Sequence, residues 1–161
     1  MNQVTLEAKK AVVNEIVERI NGAQTTIICE YRGLTVAQLE ALRNTLRENN
    51  ASFAVYKNSM VARALDAVGK ADLAKVLEGP NAVIFSTDVI AGAKVAAKFA
   101  KKNSNLVLKG GLVEGQILDA KGIKEIAALP GRDGLISMFL SVLQAPVRQF
   151  ACAVKAVADK Q

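Results

Sequence analysis

The chain has 161 residues, of which 51% are hydrophobic, so it is long and apolar enough to bury a core and lacks the composition of a disordered tail. Its formal net charge of +6 favours a polyanionic partner, although such an excess also occurs on proteins that bind nothing acidic. It has no histidine, and its two cysteines, Cys29 and Cys152, are far apart. We therefore expect neither a zinc cluster nor a disulfide framework, and no metal or cofactor.

The N-terminal residues have neither the basic region nor the apolar core of a signal peptide. The longest strongly apolar stretch without charge, residues 134–147, stops at Arg148. It is shorter than the roughly 20 residues that span a bilayer. These features predict a soluble protein of the cytoplasm.

Segments of helical periodicity alternate with short apolar strands as far as Pro130, which predicts an α/β sandwich with a mixed sheet over residues 1–130. Breakers such as Asn21-Gly22 and Glu78-Gly79-Pro80 separate the segments. The predicted helices run from Leu6 to Ile20, from Thr35 onward, and over residues 58–67, 71–77, 88–102 and 120–128; the predicted strands are residues 25–31, 52–56, 81–85 and 106–113.

Two of the predicted helices have residues that can cap their N-termini. Thr35 with Gln38 three positions later forms the pattern of a capping box. Asn58 is suited to cap the short helix that runs to Ala67. The capping box should fix the N-terminus of the first of these helices.

Arg32 and Lys57 each lie between a predicted strand and a predicted helix. The strand, helix and strand over residues 25–56 form a crossover, which makes the two strands parallel and predicts that both basic residues are neighbours at one edge of the sheet. Taken singly, Arg32 or Lys57 would be interpreted as an ordinary solvent-exposed charge in a loop. Together, beside helix N-termini, they suggest phosphate contacts. The predicted RNA-binding set, here called the basic edge, is Arg32, Gly33, Lys57, Asn58, Ser59 and Arg63.

The chain beyond Pro130 predicts one long helix from about Asp133 to Asp159, about 40 Å long at 1.5 Å per residue. Pro146 should kink this helix, unless the helix ends there and restarts. Apolar residues spaced four and three apart form a seam that should pack on a partner. The seam is Ile136, Leu140, Leu143, Val147, Phe150, Val154 and Val157.

Catalysis has little support in this sequence. Without histidine there is no Ser-His or Cys-His pair, and the carboxylates of Glu30, Glu78 and Glu114 are scattered. No phosphate-binding loop of the G-x-x-x-x-G-K-[ST] type occurs. We therefore expect a protein that is not an enzyme.

Four motifs occur along the chain in this order: Tyr31-Arg32-Gly33-Leu34-Thr35, residues Val55 to Ala64, Glu78-Gly79-Pro80 and Leu129-Pro130. Together they closely resemble the family of the bacterial stalk-base protein of the large ribosomal subunit, the large-subunit ribosomal protein ten family. The resemblance covers essentially the whole chain, including a protruding C-terminal helix that contains a proline. It implies an α/β domain that binds large-subunit ribosomal RNA beside large-subunit protein eleven.

The same resemblance implies that residues 131–161 dock dimers of an acidic stalk protein, which recruit GTP-bound translation factors. Docking sites in this family recur about every ten residues, so a helix divided at Pro146 predicts two dimers. The alternative is an amphipathic helix at a membrane surface, or another helix-docking adaptor. A membrane-surface helix should carry many basic residues on its polar face, yet this one offers only Arg148, Lys155 and Lys160.

Overall fold

The computed structural model describes the backbone of residues 3–158 and the side chains of residues 7–131, 133–156 and 158. The side chains of Leu6 and Val157 therefore lie outside the described set. The chain divides into two compact units, residues 1–128 and residues 129–161. The elements are α1 (Gln3–Gly22), β1 (Thr25–Glu30), α2 (Val36–Glu48), β2 (Ala51–Ala54), α3 (Asn58–Ala67), α4 (Ala71–Ala74), β3 (Asn81–Ser86), α5 (Ala91–Lys102), β4 (Val107–Val113), β5 (Gln116–Asp119), α6 (Ala120–Ala128) and α7 (Arg132–Ala158).

The five strands form one sheet in the order β2-β3-β1-β4-β5. Every neighbouring pair in it is antiparallel, so the α/β class is confirmed but the expected mixed sheet is wrong. The crossover from β1 to β2 does make those two strands parallel. They are not neighbours, however, because β3 lies between them and pairs with both.

Helices cover both faces of the sheet, since alternate residues of the central strands contribute to two separate apolar clusters. Ile27 and Ile84 lie in the cluster with α2, α5 and α6, and both are fully buried. Ile28 and Val83 lie in the cluster with α1, α3 and α4. The first unit is therefore a three-layer sandwich whose ends, rather than faces, are open to solvent.

The fifth strand was not among the predicted elements. Glu114 and Gly115 have φ of 47° and 79°, the left-handed pair of a tight hairpin turn, and they join β4 to β5. The sequence gives a weak signal for this hairpin, because the two-residue turn is followed by only four strand residues. This strand is also poorly buried, since Ile117 within it is 38% exposed.

Two predicted helices are shorter in the structure. The helix expected from Asp88 begins at Ala91, because the preceding residues form a turn in which Ile90 N–H donates to Asp88 Oδ1 at 3.3 Å. The helix expected over residues 71–77 ends at Ala74. Helix α6, by contrast, has the predicted bounds.

The second unit contains the long helix α7, which is continuous through Pro146. The alternative that the helix ends at this proline and restarts is therefore wrong. The expected kink stays a prediction.

Candidate nucleic-acid interface and partner-binding helix

The basic edge lies at one end of the sheet. The last residue of β1, Glu30, pairs with Asn81 at the start of β3 and with Val107 at the start of β4. The C-terminal end of β2 lies at the same end of the sheet, because β2 is also antiparallel to β3. Arg32 and Lys57 thus follow strands that end on the same side. These strands are two inter-strand spacings apart, or about 10 Å, rather than adjacent.

The charged members of the basic edge are exposed. Arg32, Lys57 and Arg63 face solvent, as does Ser59. Within residues 3–158, none of the three cations forms an ion pair. Their charges are therefore available to an external anion.

The loop that carries Arg32 is fixed at both ends. Gly33 has φ of +86°, which a side chain would strain, and its carbonyl accepts a hydrogen bond from Asn105 Nδ2 at 2.8 Å. The predicted capping box is present: Thr35 Oγ1 accepts from Gln38 N–H at 3.4 Å, and Gln38 Oε1 accepts from Thr35 N–H at 3.0 Å. Arg32 therefore extends from a structured turn rather than from a frayed loop.

Asn58 does not cap α3, contrary to the expectation. Lys57 occupies the N-cap position and makes no side-chain capping bond. Asn58 is the first helical residue, and its Nδ2 donates to the carbonyls of Leu77 at 3.2 Å and Gly79 at 2.8 Å. Both amide hydrogens are thus engaged within the chain, and an RNA contact by Asn58 stays a prediction.

The two tyrosines that directly precede Arg32 and Lys57 in the sequence pack against the core. Tyr31 contacts one apolar cluster and Tyr56 the other. The Tyr56 hydroxyl donates to Glu15 Oε1 at 3.3 Å, and burial raises the pKa of that hydroxyl. Both tyrosine rings are thus partly buried against the core.

Two residues at this end of the sheet were missed by the sequence reasoning. Lys109 Nζ lies 2.7 Å from Glu30 Oε2 and also donates to the carbonyl of Glu78. In the sequence, Lys109 lies within a predicted strand and Glu30 stands out only as one of the scattered carboxylates. A charge in the middle of an apolar strand was the available signal, because such residues are rarely buried without a partner.

The apolar seam of α7 is exposed throughout its described length. Val147 and Phe150 are each 73% exposed, and the other described members, Ile136, Leu140, Leu143 and Val154, are between 51% and 60% exposed. Met138, Phe139 and Val142 are also exposed and widen the seam in the first half of the helix. The side chain of Val157 lies outside the described set. Contiguous apolar surface of this kind normally marks an interface.

By length and composition, the segment Asp133–Ala156 would also be able to cross a membrane, since an 18-residue window within it has a mean hydropathy of 1.3. Arg148 lies inside this segment, and an arginine near the middle of a spanning helix costs about 2.5–3.5 kcal/mol. The apolar residues of α7 recur along one seam of the helix. This pattern fits packing against a partner helix better than contact with lipid on all sides.

Comparison with known families identifies both units. Residues 4–101 match the family described as Ribosomal protein L10, and residues 129–161 match the family described as Ribosomal protein uL10 C-terminal region. The chain belongs to the ribosomal protein L10 family. This membership confirms the predicted resemblance and the prediction of a cytoplasmic ribosomal protein that is not an enzyme.

Individual relatives extend the L10 match over the full chain. The large ribosomal subunit protein uL10 of Macrococcus caseolyticus is 49% identical, covering 100% of this chain and 94% of the relative. The uL10 proteins of Bacillus licheniformis and Oceanobacillus iheyensis are 50% and 48% identical, each covering 97% of this chain and 95% of the relative. Both units therefore occur together in these relatives.

Proposed function

We propose that this L10-family chain forms the base of the stalk of the large ribosomal subunit. Its first unit binds large-subunit ribosomal RNA, beside large-subunit protein eleven. Helix α7 anchors dimers of the acidic stalk protein, through which GTP-bound translation factors reach the ribosome. The observation that carries the proposal is the exposed apolar seam of α7 in a chain that matches the L10 family at both ends.

The basic edge supports the RNA-binding half of the proposal. Arg32 and Lys57 are exposed, carry no ion pair within residues 3–158, and lie at one end of the sheet. Gly33 is exposed beside Arg32, and Ser59 and Arg63 on α3 add a hydroxyl donor and a third cation. Such groups make the phosphate contacts that dominate affinity for nucleic acid.

The seam supports the docking half. Pro146 separates two groups of apolar residues along α7. The first group is Ile136, Leu140 and Leu143, and the second is Val147, Phe150, Val154 and Val157. Two dimers, or four copies of the acidic protein, are therefore expected for each chain.

A reconstitution tests the proposal. The full chain is co-expressed with the acidic stalk protein, mixed with a stalk-base RNA fragment, and passed over a size-exclusion column. All three components should elute in one peak, whereas an RNA of equal length and shuffled sequence should elute separately. A chain that holds the acidic protein but elutes apart from both RNAs would contradict the RNA-binding half. A chain that holds the stalk-base RNA but elutes apart from the acidic protein would contradict the docking half.

A further inference from the structure

The loop before β3 is held by side chains from two different elements. Three consecutive carbonyls in this loop, those of Leu77, Glu78 and Gly79, each accept a side-chain hydrogen bond. Asn58 donates to the first and third, and Lys109 donates to the second. We call Asn58, Lys109 and the ion-pair partner Glu30 the loop clamp.

A β-bulge provides the position of Lys109. In the pairing of β1 with β4, Ile28 is opposite Gly110 and Cys29 is opposite Leu108, so Lys109 is the extra residue of β4. Bulges change the direction of a side chain, and here Lys109 reaches the carboxylate of Glu30. The two side chains are only 18% and 24% exposed, so this ion pair is shielded far more than an ordinary surface pair.

The clamped loop has one defined conformation. Gly79 has φ of +74°, a conformation that other residues rarely adopt, and Pro80 fixes the next φ. A side chain at Gly79 would lie 3.7 Å from Glu30 Oε1, so the loop backbone also passes close to the end of β1. The loop thus touches the residue that follows Lys57 and a residue two positions before Arg32.

We propose that the loop clamp is a positioning device for the RNA-binding cations. It connects the first residue of α3 to the last residue of β1 and so holds Lys57 and Arg32 at a fixed separation. Asn105 and the capping box already order the turn that carries Arg32, so the clamp adds the tie between the start of α3 and the end of β1. A start of α3 that is fixed before binding lowers the entropy lost when RNA binds. This inference rests on the proposed RNA-binding function.

A double-mutant cycle on the full chain tests the clamp. Affinity for a stalk-base RNA fragment is measured by fluorescence anisotropy for the parent, Lys109→Met, Lys57→Ala and the double variant. If Lys109 positions Lys57, the double variant should lose less affinity than the product of the two single losses predicts. The difference should be about threefold or more, as for residues coupled through one network. If Lys109 binds a phosphate independently, the losses should multiply, and the clamp would be refuted.

Glu30→Gln separates positioning from simple charge. The substitution removes a carboxylate near the RNA surface, so electrostatics alone would strengthen RNA binding. The clamp predicts weaker binding instead, because Lys109 loses its ion pair and holds the loop less firmly. Stronger binding by this variant would overturn the proposal.

Further measurements cover unfolding and failure of the site itself. If Lys109→Met does not fold, as judged by circular dichroism, Asn58→Ala replaces it in the cycle and should show the same coupling to Lys57→Ala. If the single losses of affinity multiply in the double variant while Arg32→Ala and Lys57→Ala each weaken binding, only the clamp fails. If neither single variant weakens binding by the parent chain, the basic edge is not the RNA site, and the clamp fails with it.

Discussion

The two units of this chain use the same kinds of apolar side chain in opposite ways. In the first unit, residues such as Ile27 and Ile16 are fully buried, each in the cluster on a different face of the sheet. In α7, Leu140 is 51% exposed and Phe150 is 73% exposed. The first unit therefore buries its own core, whereas α7 exposes apolar side chains that, on the proposed function, a partner covers.

This difference has an energetic consequence. Each large apolar side chain that passes from water to a packed interior contributes about 1.5–3 kcal/mol. The first unit gains this free energy when it folds. If α7 docks a partner as proposed, its seam gains most of this free energy on binding, and substitutions in the two regions should appear in different assays.

Charged substitutions in the seam should have the largest effect. Leu140→Asp should remove one acidic dimer and Phe150→Asp the other, since an unpaired charge buried in an apolar seam costs several kcal/mol. Size-exclusion chromatography with light scattering measures the mass lost from each complex.

Matched controls for these variants lie elsewhere on the same helix. Ser141→Asp and Gln149→Asp introduce the same charge one residue away from Leu140 and Phe150. Because successive residues of a helix are rotated by about 100°, these side chains point away from the seam. Both controls should keep the mass of the parent complex. Equal losses from the controls would mean that general destabilisation of α7, and not the seam, explains the result.

One identical substitution in the two units should separate folding from docking. Leu42→Ala should lower the free energy of unfolding by about 2–5 kcal/mol, because it leaves a cavity in a fully buried position. Leu140→Ala should change it by less than about 0.5 kcal/mol in the chain without partners, as is usual for surface sites. Urea denaturation followed by circular dichroism measures both. Equal losses would show that the α7 seam is already packed in the isolated chain.

Loss of a basic-edge charge should have a smaller, salt-dependent effect. Arg32→Ala and Lys57→Ala should each weaken binding of the stalk-base RNA, and each should reduce the slope of log affinity against log salt by about 0.7–0.9. The matched control is Lys98→Ala, which removes the same charge from the exposed face of α5. An unchanged slope in both test variants, or an equal change in the control, would exclude the basic edge as the main phosphate contact.

The smallest expected effect concerns the cysteines, one in each unit. Burial raises the pKa of Cys29 to about 12, so its thiol stays protonated and unreactive at pH 8, whereas Cys152 is exposed. An aromatic disulfide reagent should modify one thiol per native chain and two in guanidinium chloride. Cys152 lies about 200° around the helix from Phe150, so bound acidic dimers should not protect it. Rapid modification of Cys29 in the native chain would contradict the described core.

The sequence was sufficient where local chemistry determines structure. The capping box at Thr35 and the bounds of α6 follow from residues within one or two turns, and both are present as predicted. The apolar seam was also visible, because its spacing repeats over many residues. Its described members are exposed in the structure.

The sheet order and the loop clamp could not be predicted, because they depend on contacts distant in sequence. Insertion of β3 between β1 and β2 is decided by packing, and the crossover rule fixes only strand direction. Asn58 contacts a loop about twenty residues away, and this contact competes with the local capping role that its residue type favours. The bulge at Lys109 likewise follows from pairing with β1.

Native mass spectrometry tests the division between the units most directly. The full chain and a chain without residues 133–161 are each mixed with the acidic stalk protein and the stalk-base RNA fragment. The full chain should carry one RNA and four acidic subunits, and the shortened chain should carry one RNA and no acidic subunit. Acidic subunits that remain on the shortened chain, or loss of the RNA along with them, would contradict the division, and six acidic subunits on the full chain would contradict the two docking segments.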